Sequence, residues 1–185
     1  MSFDFRHINS DWTLFLDRDG VINVEKNEDY IRNWSEFEFY PESLKALPIL
    51  AKKFPRIIIT TNQKGVGKGL MTETDLKEIH TNMKIQIESV HGRIDHILYC
   101  TDLDNDAPNR KPQPGMAFQA VDLYPDIDLN KSIMVGNRMS DMQFGRNAGM
   151  YTVFLATTHP ETAFPDDSID ERFGNLLDFA IRIKN

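Results

Sequence analysis

Five short apolar runs recur along the chain, at residues 12–16, 56–60, 94–99, 132–135 and 151–155. Each is too short for a helix. Most are β-branched and apolar throughout, the pattern of parallel strands covered on both faces. Helical patterns separate them. Residues 41–54 open on a proline suited to a first turn and place Leu44, Leu47 and Leu50 on one face, with Pro48 expected to tighten or kink the helix. Residues 72–90 begin with Thr72 and Asp75, a capping-box pair, and carry Leu76, Ile79, Met83, Ile87 and Val90 at helical spacing. Residues 114–124, 140–148 and 175–183 complete the set. Strand and helix alternate, so the predicted fold class is α/β, a doubly wound parallel sheet. Residues 102–108 and 157–170 read as surface loops. With no repeat or linker visible, 1–185 is expected to form one domain.

Composition narrows the classes. A chain of 185 residues, 41% hydrophobic and 10% aromatic, suffices for one sizeable core. No apolar run reaches membrane-spanning length. The start, MSFDFRHINSDW, lacks the charged-then-apolar order of a leader, so a cytoplasmic, membrane-free location is expected. Cys100 is the only cysteine, which excludes an intrachain disulfide and a cysteine-rich metal site. The net charge of −7 disfavours nucleic-acid binding, which rests on Lys and Arg neutralising phosphates. A small phosphorylated metabolite needs only a few local cations. A monomer is the expected state.

In such sheets ligands bind beyond the carboxyl ends of the strands. The first run ends in Asp17-Arg18-Asp19-Gly20. Residues two apart on a strand point the same way, so Asp17 and Asp19 converge. Two carboxylates that close need their charge offset, most simply by a divalent cation. Asp and Gly are also ordinary turn formers, and the pair alone fits a solvated turn equally well. The second run ends in Thr60-Thr61-Asn62-Gln63, followed by KGVGKG. That stretch lacks the GxxxxGKS/T spacing of a P-loop and reads as a turn with solvated lysines. The third leads through Asp102, Asp104 and Asp106 to Asn109-Arg110-Lys111-Pro112. The fourth ends in Gly136-Asn137-Arg138, with Ser140 and Asp141 beyond. The five histidines have no metal-type spacing and are expected at the surface or in the core.

In this order the motifs resemble the haloacid dehalogenase (HAD) superfamily of phosphohydrolases, over roughly residues 11–156. DRDGVIN, FEFYPE, IIITTNQKGVGKG, RKPQPGM and MVGNRMSDMQ are similar to the branch containing heptose bisphosphate phosphatase and the histidinol-phosphate phosphatase domain. The resemblance implies a Rossmann-like core and phosphomonoester hydrolysis through an aspartyl-phosphate. That reaction needs a nucleophile, a proton for the leaving alkoxide and neutralised phosphoryl oxygens. By resemblance, Asp17 is the nucleophile and Asp19 the general acid/base, whose carbonyl also binds Mg²⁺. Thr61 and the Asn62 amide hold phosphoryl oxygens, and Lys111 neutralises them. Gln63, Arg110 and Arg138 belong to substrate binding. The Mg²⁺ ligands implied are Asp17, Asp19, Asn137 and Asp141.

The chain departs from that pattern twice. Asn137 stands where the family usually has an aspartate ligand of the metal. An amide oxygen still coordinates a hard cation, but one negative charge is lost. Asp141 is expected to compensate, and Asn137→Asp to lower the Mg²⁺ requirement. The substitution also opens a second reading, a catalytically weakened phospholigand-binding relative. The second departure is in the loop where many heptose phosphatases carry structural zinc. Cys100 remains, but Asp102 replaces a histidine and Asn109 a cysteine, so no zinc is expected. No large cap insertion is visible. A short flap at about 25–39 must then select substrate and exclude water, with Tyr30, Trp34 and Phe37 either packing it or touching a ligand. The expected function is a Mg²⁺-dependent phosphatase of a small phosphorylated metabolite, a heptose bisphosphate first. Histidinol phosphate and a polynucleotide 3′-phosphate are the rival substrates. A signalling receiver domain also combines acids, Thr, Lys and Mg²⁺, but keeps its acidic pair and phosphoacceptor on different strands.

Overall fold

The chain lays down β1 (Thr13–Leu16), α1 (Pro41–Lys53), β2 (Arg56–Asn62), α2 (Lys64–Gly67), α3 (Glu73–Ser89), β3 (His96–Cys100), α4 (Gly115–Leu123), β4 (Ser132–Gly136), α5 (Met139–Asn147), β5 (Tyr151–Leu155), β6 (Glu171–Phe173) and α6 (Leu176–Lys184). This computed structural model describes residues 4–184. Residues 1–3, part of the segment expected to carry no leader, and residue 185 lie outside the described residues. The strands form one parallel sheet in the order β3-β2-β1-β4-β5-β6. Chain order reverses at β1, the switch point where such sheets open a crevice for ligands.

Alternation along the strands builds two cores. Leu14 and Leu16 of β1, Ile57 and Ile59 of β2, and Ile133 and Val135 of β4 pack on one face with Leu47 and Leu50 of α1, Met83 and Ile87 of α3 and Phe179 of α6. Phe15, Ile58 and Met134 point the other way, onto Met116 and Ala120 of α4 and Phe144 of α5. Covering both faces explains why these strands read as continuous apolar runs. Thr72 caps α3 through the complete capping box with Asp75, a feature worth about 1 kcal/mol. Pro48 is accommodated inside α1.

The structure revises three readings. KGVGKG is not only a turn: Lys64–Gly67 forms one helical turn before Gly69, at φ 69°, reverses the chain. A sixth strand, β6, follows the loop at 157–170 and pairs with β5 through Val153, Phe154 and Leu155. Its Glu-Arg-Phe sequence has no apolar run, because an edge strand of three half-buried residues needs none. β2 also runs on to Asn62, which places Thr61 and Asn62 inside the ladder with β3.

The flap leaves and rejoins the core side by side. Val24 N–H donates to Glu38 O at 2.8 Å and Tyr40 N–H to Ile22 O at 3.1 Å. Trp34 stacks on Phe37 at 5.0 Å, and Phe37 meets Phe39 edge-on at 4.9 Å. Ile31 packs on Met71, Leu76 and Ile79 beside α3. Trp34 and Phe37 therefore pack the flap, whereas Tyr30 lines the cavity beneath it.

Candidate active site

Asp17 prolongs β1, its N–H donating to Val135 O at 2.9 Å. Its buried Oδ1 accepts from Lys111 Nζ at 2.8 Å. The same ammonium donates to Thr60 O at 2.8 Å and pairs with Asp141 Oδ1 at 2.6 Å, so its three protons are all committed. Burial pushes the Asp17 carboxyl up to about 7, with Lys111 opposing the rise and the Asp141 and Asp19 charges adding to it. Burial works against the Lys111 charge too, but its two carboxylate partners outweigh it and keep it protonated.

Asp19 is held by a second network. Arg18, fully buried, reaches back to Asp19 with Nη2 at 2.9 Å from Oδ1 and 3.0 Å from Oδ2. Asn23 Nδ2 donates to Oδ1 at 3.0 Å, and Gln63 Nε2 to Oδ2 at 2.9 Å. Burial raises the Asp19 carboxyl, but the Arg18 charge and these hydrogen bonds overcome it and hold it below the usual range. Gln63 Nε2 also donates to Thr61 Oγ1 at 2.8 Å. Thr61 accepts there, which leaves its own proton to point elsewhere. Gln63, expected to bind substrate, thus also ties Asp19 to Thr61.

Behind Arg18 lies His80, on α3, with Nε2 3.1 Å from Arg18 Nη1. Burial, then the Arg18 charge, drives its pKa down to about 3. A neutral imidazole there accepts from the guanidinium. The unfolded chain takes a proton at this residue below about pH 6.5, the native state only near 3, so stability contributed here is lost as pH falls through that window. We expect His80→Gln, which keeps an acceptor and cannot charge, to cost stability at about pH 7.5 and to lose that deficit by about pH 4.5. Thermal melts of both proteins across that range check it; a deficit independent of pH would refute it.

Asn62 uses its side chain on the protein. Oδ1 accepts from Lys111 N–H and Nδ2 donates to Lys111 O, both at 3.1 Å. The end of β2 thereby clamps the loop that delivers Lys111. Arg110 donates to Asp102 O at 3.3 Å, and Lys64 Nζ to Asn105 Oδ1 at 2.8 Å, drawing the acidic loop toward α2.

At the end of β4, Asn137 is fully buried. Its Nδ2 donates to Glu25 Oε2 at 3.0 Å and to Thr158 Oγ1 at 2.9 Å. Its Oδ1 is buried with no hydrogen-bond partner among the described residues. Gly20, at φ 84°, lies against this amide; a Cβ there would come within 2.0 Å of Nδ2. Asp141 is turned elsewhere: Oδ2 accepts from the N–H groups of Asn137 at 3.2 Å and Arg138 at 3.0 Å, capping α5, while Oδ1 faces Lys111. Arg138 pairs with Glu25.

These groups surround a cavity of about 500 Å³. Asp17, Asp19, Thr61, Lys111 and Asp141 line its floor, joined by Asn62 and Gln63. Arg110 and Arg138 also line it, with Glu25 and Tyr30 from the flap. Asn137 is buried rather than on the wall. Among the described residues no three His, Cys, Asp or Glu side chains converge as a metal cluster. Asp19 is engaged by Arg18 and Asp141 by Lys111. The buried, unpartnered Asn137 oxygen nevertheless has the donor chemistry that a hard, oxygen-seeking cation takes. Sequence reasoning overlooked Arg18, His80 and Glu25. An Arg between two aspartates of a buried segment was a signal for the first. His80 next to Ile79 on an apolar helix face was a weaker one. Glu25 carried none.

A family model described as HAD-hydrolase-like matches residues 108–165. D-glycero-alpha-D-manno-heptose-1,7-bisphosphate 7-phosphatase of Mycobacterium tuberculosis is 36% identical over 93% of this chain and 91% of its own length. D-glycero-beta-D-manno-heptose-1,7-bisphosphate 7-phosphatase of Escherichia coli K12 is 32% identical over 92% of this chain and 93% of its own length. The crystal structure of D,D-heptose 1,7-bisphosphate phosphatase from B. bronchiseptica, complexed with magnesium and phosphate, superposes with a TM-score of 0.84 at 26% identity, covering 92% of this chain and 97% of that one. With these relatives matching over more than nine-tenths of the chain, this protein belongs to the HAD phosphatases, in the family of the heptose-1,7-bisphosphate 7-phosphatases.

Proposed function

We propose that this phosphatase removes the 7-phosphate of a D-glycero-D-manno-heptose 1,7-bisphosphate through an aspartyl-phosphate on Asp17. The observation that carries the chemistry is the buried Asp17–Lys111 pair at 2.8 Å, at the end of β1 and open to the cavity. The names of the relatives support the substrate.

Asp17 attacks phosphorus as the sugar alkoxide leaves. Thr61 and the backbone at Asn62 receive the phosphoryl oxygens, and the Lys111 charge beside Asp17 neutralises them. Asp19 protonates the departing oxygen and then takes a proton from the water that opens the aspartyl-phosphate. Held by Arg18 it is a carboxylate, the form needed for the second step. Proton delivery in the first step requires its carboxyl to leave Arg18, take up a proton from solvent and then face the leaving oxygen. Asp17, the Asp19 carbonyl and Asn137 Oδ1 would hold Mg²⁺. When bound, that cation keeps Asp17 ionised and offsets charge on the phosphoryl group. Arg110 and Arg138, forked donors, face the remainder of the substrate.

The test is phosphate release from both anomers of the heptose bisphosphate, the heptose monophosphate, histidinol phosphate and a 3′-phosphorylated oligonucleotide, with Mg²⁺ varied from low micromolar to tens of millimolar. We expect kcat/KM for one heptose bisphosphate anomer to exceed every other substrate by at least about tenfold. Fastest release from histidinol phosphate or the oligonucleotide would reassign the substrate. No release at any Mg²⁺ concentration would favour the weakened-relative reading.

A further inference from the structure

We infer that Glu25, at the root of the flap, is a positioning residue for the cation: it sets which end of the Asn137 amide is free. The inference rests on the reading of Asp17 and Asn137 as the cation site. A side-chain amide can present oxygen or nitrogen, and only the oxygen binds a cation. Asn137 Nδ2 has two neighbours, Glu25 Oε2 at 3.0 Å and Thr158 Oγ1 at 2.9 Å. The threonine hydroxyl is indifferent, since it donates or accepts. The carboxylate only accepts. Glu25 therefore decides the orientation, and the decision leaves Oδ1 buried without a partner among the described residues. A buried acceptor in that state is costly unless something fills it.

Glu25 is itself well held. Its side chain is 12% exposed, and Oε1 accepts from Arg138 Nε at 3.0 Å. Val24, immediately before it, is bonded to Glu38 across the base of the flap. One contact therefore joins the flap to the end of β4, and cation binding and flap position become linked.

This arrangement reverses the expectation for Asn137→Asp. A carboxylate introduced at position 137 would place an oxygen about 3 Å from Glu25 Oε2, two like charges in a buried place. Gly20, packed on the same side chain, leaves it little room to turn aside. The substitution sets two acceptors face to face where a donor had been. Adding Glu25→Gln removes the surplus and offers an amide donor to the new carboxylate.

The experiment measures Mn²⁺ affinity by electron paramagnetic resonance for the wild type, Glu25→Gln, Asn137→Asp and the double variant, with Asp17→Asn as control. Metal-free thermal melts confirm that each is folded. We expect Glu25→Gln to weaken binding about tenfold or more. We expect Asn137→Asp alone to bind no tighter than the wild type. The double variant should return to within about threefold of the wild type, each change rescuing the other. Two outcomes overturn the inference: Asn137→Asp alone binding tighter with Glu25→Gln unchanged, or losses that simply add in the double variant. Unchanged Mn²⁺ affinity in Asp17→Asn would instead refute the cation site itself, so the two failures are distinguishable.

Discussion

Asp17→Asn is expected to abolish phosphate release, with kcat lower by about 10⁴-fold or more and the fold intact. The amide has nearly the shape of the carboxylate but cannot displace an alkoxide from phosphorus. Lys111 keeps Thr60 O and Asp141 as partners, so the loop bearing it stays in place. Two buried carboxylates now share that one ammonium. Removing one relieves their repulsion, so the metal-free variant is expected to melt no earlier than the wild type. Activity and stability then move in opposite directions, as they do where a site holds charges the fold would not choose. Steady-state phosphate release, thermal melting and the mass of acid-quenched enzyme give three readouts, the last showing a phosphoryl adduct only in the wild type. Retention of more than about 1% of wild-type kcat would remove Asp17 from the nucleophile role.

Lys111→Met has the largest expected effect on stability. It strands the Asp17 and Asp141 carboxylates, both buried, and the Thr60 carbonyl. Breaking a buried pair from one side costs about 3–5 kcal/mol. The sign of the pH dependence follows. Asp17 already lies high, at about 7, with Lys111 opposing the rise, so loss of Lys111 moves it higher still. A carboxyl whose native pKa is raised destabilises most above that pKa, and the penalty fades as falling pH protonates it. Urea unfolding of variant and wild type should show the full difference at about pH 8 and a clearly smaller one at about pH 5.5. Equal differences at both would mean that Lys111 stabilises by packing rather than by pairing. Catalysis should fall by about 10²–10³-fold as well, the scale of losing one charge-stabilising donor.

The local signals and the long-range ones separate clearly. Phe15, Ile58 and Met134 sit in runs whose composition declares a strand buried on both faces, and the structure pairs those runs in parallel. Thr72 and Asp75 declare their cap within four residues. β6 was illegible because pairing with β5, not composition, makes Glu171–Phe173 a strand. At the site, Asp17, Asp19, Thr61, Lys111 and Asp141 follow successive strands in a recognisable order, and the structure brings them into one cavity. Their partners were not legible. His80 is 62 residues from Arg18, Glu25 is 112 from Asn137, and Lys111 is 94 from Asp17.

The chain's own order of residues determined the alternating α/β class, the doubly wound sheet and the identity of the polar groups at its carboxyl edge, because periodicity and strand-end position are local properties. Only the tertiary structure decided what those groups face. It turned Asp141 onto Lys111 and the start of α5. It bound Asp19 to Arg18 and Gln63, and set Glu25 against Asn137. The physical reason is that a buried charge must find its counterpart wherever the fold has placed one. That choice is made between elements far apart in the chain, and no local pattern records it.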